Sequence, residues 1–546
     1  MVIRERSRTQ LRGSPYHGST QKLDIVEKNV IHKKYRPGVL RVAIAYPSTY
    51  QVAMSSLSIH LLYHYLNSID FIIAERVVME GCGPYRSIES GTYLSKFDIV
   101  LFSVHYELDY VNIVRMLEES GIPALRARRG EEYPIIAVGG PCITANPEPL
   151  AEIVDLAFIG EAEPVLHKVL EKIYEYKDSK QWKDSVASIE GVYIPDLVNN
   201  SNFVTKAIAK PLDHYEYPTR QIVTLEAPER YTPVFGKAFY LEVVRGCPFL
   251  CCFCMETLVQ FPFRFRSFNI IKQIVEEGLE HCPVDKIVII GLAFQSHPEC
   301  KKILEFLLNN FDISISLPSM RADLLDDDML NLLVQCRQQT LTVAPESSER
   351  IRLALGKDFS DSDVIELAKR AEKVGIKELK LYFIIGLPGE TEKDLDEIVK
   401  LVNTIKRETN LEIYVNVNPW VRKPHTPLQY EVPLDLESVS KRIDYVVDKL
   451  GVRHVVYDPY LAYAQMLLSL GDRSIGRVLV EISKLSGSNL SRAFWRRVFS
   501  RYPSVLKSIV FRNFRPGEDV PWRLIKLGLS DYTIVRKWER YITQVK

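Results

Sequence analysis

Four cysteines fall within eight residues, in the run Arg245-Gly246-Cys247-Pro248-Phe249-Leu250-Cys251-Cys252-Phe253-Cys254. Cys247, Cys251 and Cys254 have the spacing C-x3-C-x2-C. Zinc sites usually recruit four protein ligands, and no second Cys or His pair stands at a matching distance. Most iron–sulfur clusters also take four thiolates. Three cysteines therefore suggest a cluster with one open iron, where chemistry can happen. Two other readings of the same residues stay open at this stage: buried free thiols, which are common in cores, and a structural zinc site. Cys252 is read as a bystander on the opposite side of the turn. The chain has nine cysteines in all, an odd number, and such crowding reads as a metal site in a reducing compartment rather than a disulfide framework.

The elements around this run must hold it at a ligand-accessible end. It follows the apolar segment FYLEVV, the first of six strand-like segments; the others are KIVIIG, ISISLP, QTLTVA, LKLYFIIG and IYVNVN. Helical patterns separate them. Ser360 and Asp363 form a capping-box variant, Val364, Leu367, Ala368 and Ala371 make a buried stripe, and Gly375 ends that helix. Six βα units in sequence predict a partial barrel with its active site at the C-terminal mouth. Upstream, VAIAYP from Arg41, Ile99–Val104, Ile135–Val138 and Asp155–Ile159 alternate with helices, which predicts a doubly wound parallel sheet. The expected organisation is a basic arm over 1–40, the doubly wound unit over 41–175, a connector over 176–235, the barrel over 236–430 and a mainly helical, basic and aromatic region over 431–546.

The cysteine run followed by this βα series resembles the radical S-adenosylmethionine superfamily, with Phe253 at the usual aromatic position before the last cysteine. The resemblance implies a [4Fe–4S] cluster on Cys247, Cys251 and Cys254 and S-adenosylmethionine on the open iron. It also implies one-electron cleavage to a 5′-deoxyadenosyl radical. TVAPESSER at 342–350 resembles the family's fourth-strand segment and would place Glu346 near the ribose or methionine part; a carboxylate facing a helix N-terminus is the other reading. YFIIGLPGET at 382–391 resembles the fifth, where Gly386 and Gly389 would let backbone approach the adenosyl part, although a tight strand–helix turn alone would also need them, and NVNPWVRKPHTP from Asn416 resembles the sixth. Arg321 stands where an arginine can meet the methionine carboxylate; a surface salt bridge is the other reading of it. After the second strand the family usually has a Gly-Gly-Glu-like stretch; this chain has Gly291-Leu292-Ala293-Phe294-Gln295, so backbone at Gly291 or Gln295 would have to substitute.

Residues 41–170 resemble the cobalamin-binding fold that precedes some barrels of this superfamily, chiefly through GGPCITANPEP and FIGEAE. The histidine motif D-x-H-x-x-G is absent. Cobalamin could then enter without a histidine ligand near Ser103, Gly139 and Gly140, or the fold is inherited without the cofactor. His60 and His64 are read mainly as packing residues.

Composition sets the remaining bounds. Hydrophobic residues are 46% and charged residues 25%, an ordinary globular balance. No apolar run approaches the roughly 20 residues that span a bilayer, and the N-terminus has no apolar signal core, so the expectation is a cytoplasmic or at most peripheral protein. The net charge is only +1, but residues 491–546 carry thirteen Lys/Arg against four Asp/Glu. That region is read as a helical cap with outward arginines, with docking of RNA or lipid headgroups as alternatives. The functional expectation is a radical enzyme, supplied with electrons by a reductant such as ferredoxin or flavodoxin. It would modify an unactivated carbon by cobalamin-assisted methylation or carbon–carbon bond formation, on a small molecule, a lipid or RNA. A non-catalytic electron carrier or redox sensor, and an RNA-binding protein with a structural cluster, are the competing classes.

Overall fold

The computed structural model describes residues 23–176, 181–198, 203–485 and 490–545. Its first sheet contains Leu40–Tyr46 (β1), Ile72–Val78 (β2), Ile99–Ser103 (β3), Ile135–Gly139 (β4), Leu156–Phe158 (β5) and Val192–Tyr193 (β6). The strand order is β2-β1-β3-β4-β5-β6. All pairs are parallel except β5–β6. The strands are apolar throughout because both faces are covered. Ala43, Ala45, Val100 and Phe102 pack in one core with Val111 and Val114. Val42, Ile44 and Leu101 pack in the other with Ile59, Tyr63 and Leu66. The order reverses between β1 and β3, and ligands of such sheets sit in the crevice at that reversal, beyond the strands' C-terminal ends.

Strand β2 was not among the expected elements. Its sequence, IIAERVV, places Glu75 and Arg76 inside an apolar run, yet every residue of it is buried. Arg76 stays charged there because Glu27 and Glu89 each hold it at 2.7 Å. Glu27 belongs to Val26–Lys28, which pairs antiparallel with Val223–Glu226. The second half of the expected basic arm is therefore stitched to the body; residues 1–22 lie outside the described residues. The connector is stitched likewise, through β6 and through Val204–Thr205, which pairs with Ile525–Lys526 near the other end of the chain.

The barrel strands are Ala238–Glu242 (β7), Lys286–Ile290 (β8), Ser314–Ser316 (β9), Thr340–Glu346 (β10), Glu378–Ile385 (β11), Glu412–Pro419 (β12) and Arg453–Val456 (β13). They form parallel runs β7-β8-β9 and β10-β11-β12-β13, joined by a single parallel bridge, Met320 to Val343. Six match the expected strands. The seventh, β13, lies in the stretch expected to be helical. Along β11 half-buried and buried residues alternate. The buried set (Leu379, Leu381, Phe383, Ile385) packs in one core with Leu367, Ala371, Leu395 and Ile398 of the covering helices. Lys380 and Tyr382 therefore face the lumen, with Tyr414 and Asn416 beside them in register.

The C-terminal region covers one side of the barrel. Trp495 and Trp522 are 0% and 2% exposed, so they are core residues rather than stacking platforms, while Arg492, Arg496 and Arg501 face outward. The final helix, Asp531–Val545, packs on Glu349–Ala354. Arg350 ties them by donating to the Val545 carbonyl at 2.8 Å and to Asp394 at 2.7 Å. Burial pushes the Asp394 carboxyl up, but hydrogen bonds from Arg350, Ser348 and Thr391 outweigh it and hold it at about 2. A carboxyl depressed on folding stabilises above its unfolded value and loses that contribution as pH falls through the folded one. Asp394→Asn should therefore cost on the order of 1 kcal/mol at neutral pH, and the difference from wild type should shrink below about pH 4. Chemical denaturation at several pH values checks this; a constant difference would contradict it.

Candidate active site

The cysteine loop leaves the end of β7. Gly246 has φ 84°, and a Cβ there would lie 2.7 Å from the Gln260 carbonyl oxygen and 2.8 Å from that of Pro262, so only glycine fits. Cys251 is buried, and Cys247 and Cys254 are half-buried. Burial raises the Cys254 thiol to about 12, against a hydrogen bond from Thr257 at 3.4 Å. Burial also raises Cys251, opposed by Lys357 and Arg321 and assisted by Glu346 and Cys247. Metal coordination removes such thiol protons. Cys252 points elsewhere: its sulfur contacts the Ala354 carbonyl and its side chain lies in a small core with Leu355, Trp420 and Tyr541. Three thiolates are soft donors of the kind that hold iron–sulfur clusters. Among the described residues no three His, Cys, Asp or Glu side chains form a group able to hold a single metal ion, whereas an iron–sulfur cluster spreads its thiolates over different irons.

Two other expected residues come to this loop. The Arg321 guanidinium lies 3.9 Å from the centroid of the Phe249 ring, inside the cysteine run. It pairs with Asp323 at 2.8 Å, and its side chain is only 14% exposed. Gln295, an expected substitute for the missing glutamate, is engaged with Arg321's backbone, accepting from its N–H at 2.9 Å. Glu346 ends β10 at φ 67°, a conformation that costs a non-glycine residue roughly 1–3 kcal/mol and clusters at functional sites. Lys357 holds its carboxylate at 2.6 Å. Nothing in the sequence marks Lys357. On the lumen face Asn416 has a buried side-chain oxygen with no partner among the described residues, an acceptor left for a ligand's donor. Phe253 packs at the edge of the Cys252 core. At Gly386 (φ 87°) and Gly389 (φ 77°) the protein itself needs glycine: a Cβ on Gly389 would lie 2.6 Å from Val545 of the final helix.

A cavity of about 520 Å³ lies between the C-terminal ends of the first sheet and the barrel. One wall holds Ser103, Gly139 and Gly140; the other holds Gly291, Val288 and Arg245. The lining is mostly apolar, and its size is that of a small-molecule or cofactor site. None of the three cysteines lines it, but Arg245 precedes their loop. Gly140 (φ 126°) is required by the protein's own backbone, since a Cβ would sit 2.1 Å from the Val104 carbonyl oxygen. Gly140→Ala should accordingly lower the thermal unfolding temperature by several degrees, where Gly139→Ala, whose Cβ would meet Phe158 at an ordinary 3.5 Å, should change it little; equal shifts would contradict the assignment. His64 and His105 also reach the cavity. His60 does not: it is buried, stacked on Tyr240 and bonded to the Met54 carbonyl, a packing residue.

Arg245 is the hinge of this arrangement. It binds Glu161 at 2.9 Å, Glu163 at 2.8 Å and Glu242 at 2.8 Å. Arg264 joins Glu161 at 2.7 Å, and Arg266 approaches Glu242 at 3.5 Å. Three cations and three carboxylates balance, which makes burial tolerable. The glutamates at 161 and 163 follow β5, so this network fastens the cysteine loop to the first sheet.

Comparison with known proteins decides the family. Residues 58–195 match the family of radical SAM proteins, N-terminal, and residues 241–402 match the radical SAM superfamily. The chain belongs to the radical S-adenosylmethionine superfamily. It is similar to the uncharacterized protein MJ0966 of Methanocaldococcus jannaschii, at 30% identity over 85% of this chain and 96% of that one. It is also similar to the uncharacterized methyltransferase PH0819 of Pyrococcus horikoshii, at 22% identity over 51% of this chain and 60% of the other. A third relative is the ribosomal protein uS12 methylthiotransferase RimO of Pelotomaculum thermopropionicum, at 27% identity over 31% of this chain and 40% of that one. The fold is shared with the radical SAM methyltransferase TsrM from Kitasatospora setae, a structure with cobalamin and a [4Fe–4S] cluster bound, at TM-score 0.50 and 13% identity over 72% of this chain and 78% of that one. The chain is accordingly a radical SAM enzyme on an α/β scaffold, and no helix among the described residues is long and apolar enough to cross a membrane.

Proposed function

We propose that Cys247, Cys251 and Cys254 hold a [4Fe–4S] cluster beside S-adenosylmethionine, and that the cavity between the sheet and the barrel takes cobalamin. The product is then a new carbon–carbon bond, through methylation or a related coupling at an unactivated carbon. The observation that carries this reading is the position of the cavity, which joins the strand ends of the first sheet to the barrel mouth beside Arg245. When bound, the cluster would supply an electron for reductive cleavage of S-adenosylmethionine to the 5′-deoxyadenosyl level, and cobalamin would supply a methyl carrier.

The protein's own residues position and enclose. Arg321, held by Gln295 and stacked on Phe249, offers a cation to the methionine carboxylate. Glu346, fixed by Lys357, and the Asn416 oxygen offer acceptors to amino or hydroxyl groups of the same ligand. The backbone at Gly291 completes that pocket; Gly386 and Gly389 shape the turn behind it, and the Phe253 ring anchors the cysteine loop through the Cys252 core. Ser103, Gly139 and Gly140 form the first-sheet wall of the cobalamin site. The apolar lining excludes water, which protects a reactive radical from side reactions. In this reading residues 41–175 are the cobalamin unit, 176–235 the connector, 236–430 the radical core and 431–546 the cap, with 1–40 as the leading arm. The buried Trp495 and Trp522 favour the cap over an RNA-binding surface, so a small-molecule or lipid substrate is favoured, with electrons from ferredoxin or flavodoxin in the cytoplasm.

Anaerobic purification, reconstitution with iron and sulfide and addition of hydroxocobalamin test the reading. Retention of about one cobalamin per chain after gel filtration is expected. A Ser103→Trp variant, which fills the cavity wall, should abolish retention while leaving the iron content unchanged. Equal retention by both proteins would sink the placement. RNA binding that weakens steeply with added salt would instead revive the RNA reading.

A further inference from the structure

The cavity contains one imidazole that the protein has already oriented. His105 lies two residues beyond the end of β3, beside the reversal of strand order between β1 and β3. Its Nε2 meets Ser58 Oγ at 2.9 Å and Ser103 Oγ at 3.2 Å, and the two hydroxyls bond each other at 3.0 Å. The ring stacks on Tyr46 with centroids 6.0 Å apart. Nδ1 has no hydrogen-bond partner among the described residues, and the residue lines the cavity. The ring stands open to the cavity. In metal-ligating histidines the held nitrogen is the N–H donor and the other carries the lone pair; here Nε2 would donate to the serine oxygens, leaving Nδ1 free to ligate. The other cavity histidine, His64, has no hydrogen bond to fix its ring among the described residues, and it lies on the helix Leu57–Ser68 rather than at a strand end.

We infer that His105, through Nδ1, is the protein's axial ligand to the cobalt of a corrinoid in this cavity, with Ser58 and Ser103 as its positioning residues. The inference rests on the cobalamin reading above. The ligand comes from the loop after β3, and no D-x-H-x-x-G segment is needed to supply it. The step is a dative bond from the neutral nitrogen to cobalt. It displaces water or the corrinoid's own nucleotide base and changes no oxidation state.

Electron paramagnetic resonance of the full chain loaded with cob(II)alamin reads that bond directly. An axial nitrogen splits each cobalt line into a triplet. In protein grown with ¹⁵N-histidine the triplet should become a doublet, a readout that needs no variant and no turnover. His105→Ala should lose the histidine splitting and His64→Ala should keep it. A triplet unchanged by the label would mean that the nucleotide base is the ligand, and an absence of nitrogen splitting would mean that water or nothing is; either overturns the inference while leaving the cobalamin site standing. A doublet that disappears in His64→Ala and persists in His105→Ala would also overturn it. Failure of the unmodified protein to retain cob(II)alamin at all would overturn both this inference and the reading beneath it.

Discussion

Replacing Cys251 or Cys254 by alanine should leave a chain that folds but holds almost none of the wild-type iron after reconstitution, and that forms 5′-deoxyadenosine at less than about a thousandth of the wild-type rate, the scale of roughly 4 kcal/mol in a barrier. Cys252→Ala should retain both, although it is the neighbour of each. The difference comes from direction. Cys252 turns into an apolar pocket with Leu355, Trp420 and Tyr541 and contacts the Ala354 carbonyl, whereas Cys251 shares its surroundings with Cys247, Arg321, Lys357 and Glu346. Trimming the Cys252 sulfur leaves a small void and costs about 1 kcal/mol of stability, with no loss of a cluster ligand. Iron analysis, visible absorption and product formation on the three variants give the test. Loss of the cluster in Cys252→Ala with retention in Cys254→Ala would reassign the ligand set.

Arg245→Met should be the most destabilising single substitution outside the cores. It removes the cation shared by Glu161, Glu163 and Glu242, all three of them largely enclosed. Breaking a buried pair costs about 3–5 kcal/mol because the remaining charge is left uncompensated, a large part of the roughly 5–15 kcal/mol that holds a domain together. Arg245→Lys keeps the charge and loses the fork that reaches three carboxylates at once, so it should fall between. Because Gly246 and Cys247 follow directly, the Met variant should also take up less iron. Thermal unfolding and iron content read the two effects. Wild-type values for both in Arg245→Met would show that the network does not brace the loop.

The parts of this molecule that were legible in sequence are those carried by local pattern. The cysteine spacing announced the loop, and the capping box at Ser360 with Asp363 and the left-handed Gly375 bounded their helix as expected. Strand β2 escaped notice because Glu75 and Arg76 interrupt its apolar run, and their compensation comes from Glu27 and Glu89, which only the fold brings near. Strand β13 escaped because RHVV is short and half-exposed and follows a long helix ended by Gly451. The site shows the same division. Arg321 and Glu346 were legible through motif resemblance, but Lys357, the carboxylate clamp on Arg245 and the orienting serines of His105 depend on contacts between distant segments. Gly140 and Gly389 each make room for the protein's own chain, and for Gly389 the tight-turn role was legible in the sequence beside the ligand role.

Radical cleavage of S-adenosylmethionine on the three cysteines is read most directly from 5′-deoxyadenosine by mass spectrometry. Protein purified and reconstituted without oxygen would be mixed with dithionite and S-adenosylmethionine, beside the Cys247→Ala, Cys251→Ala, Cys254→Ala triple variant. The intact chain should yield 5′-deoxyadenosine and the variant none above background. A fully loaded cluster that yields no 5′-deoxyadenosine, with candidate substrates present, would contradict radical cleavage and leave an electron carrier or a structural cluster in its place.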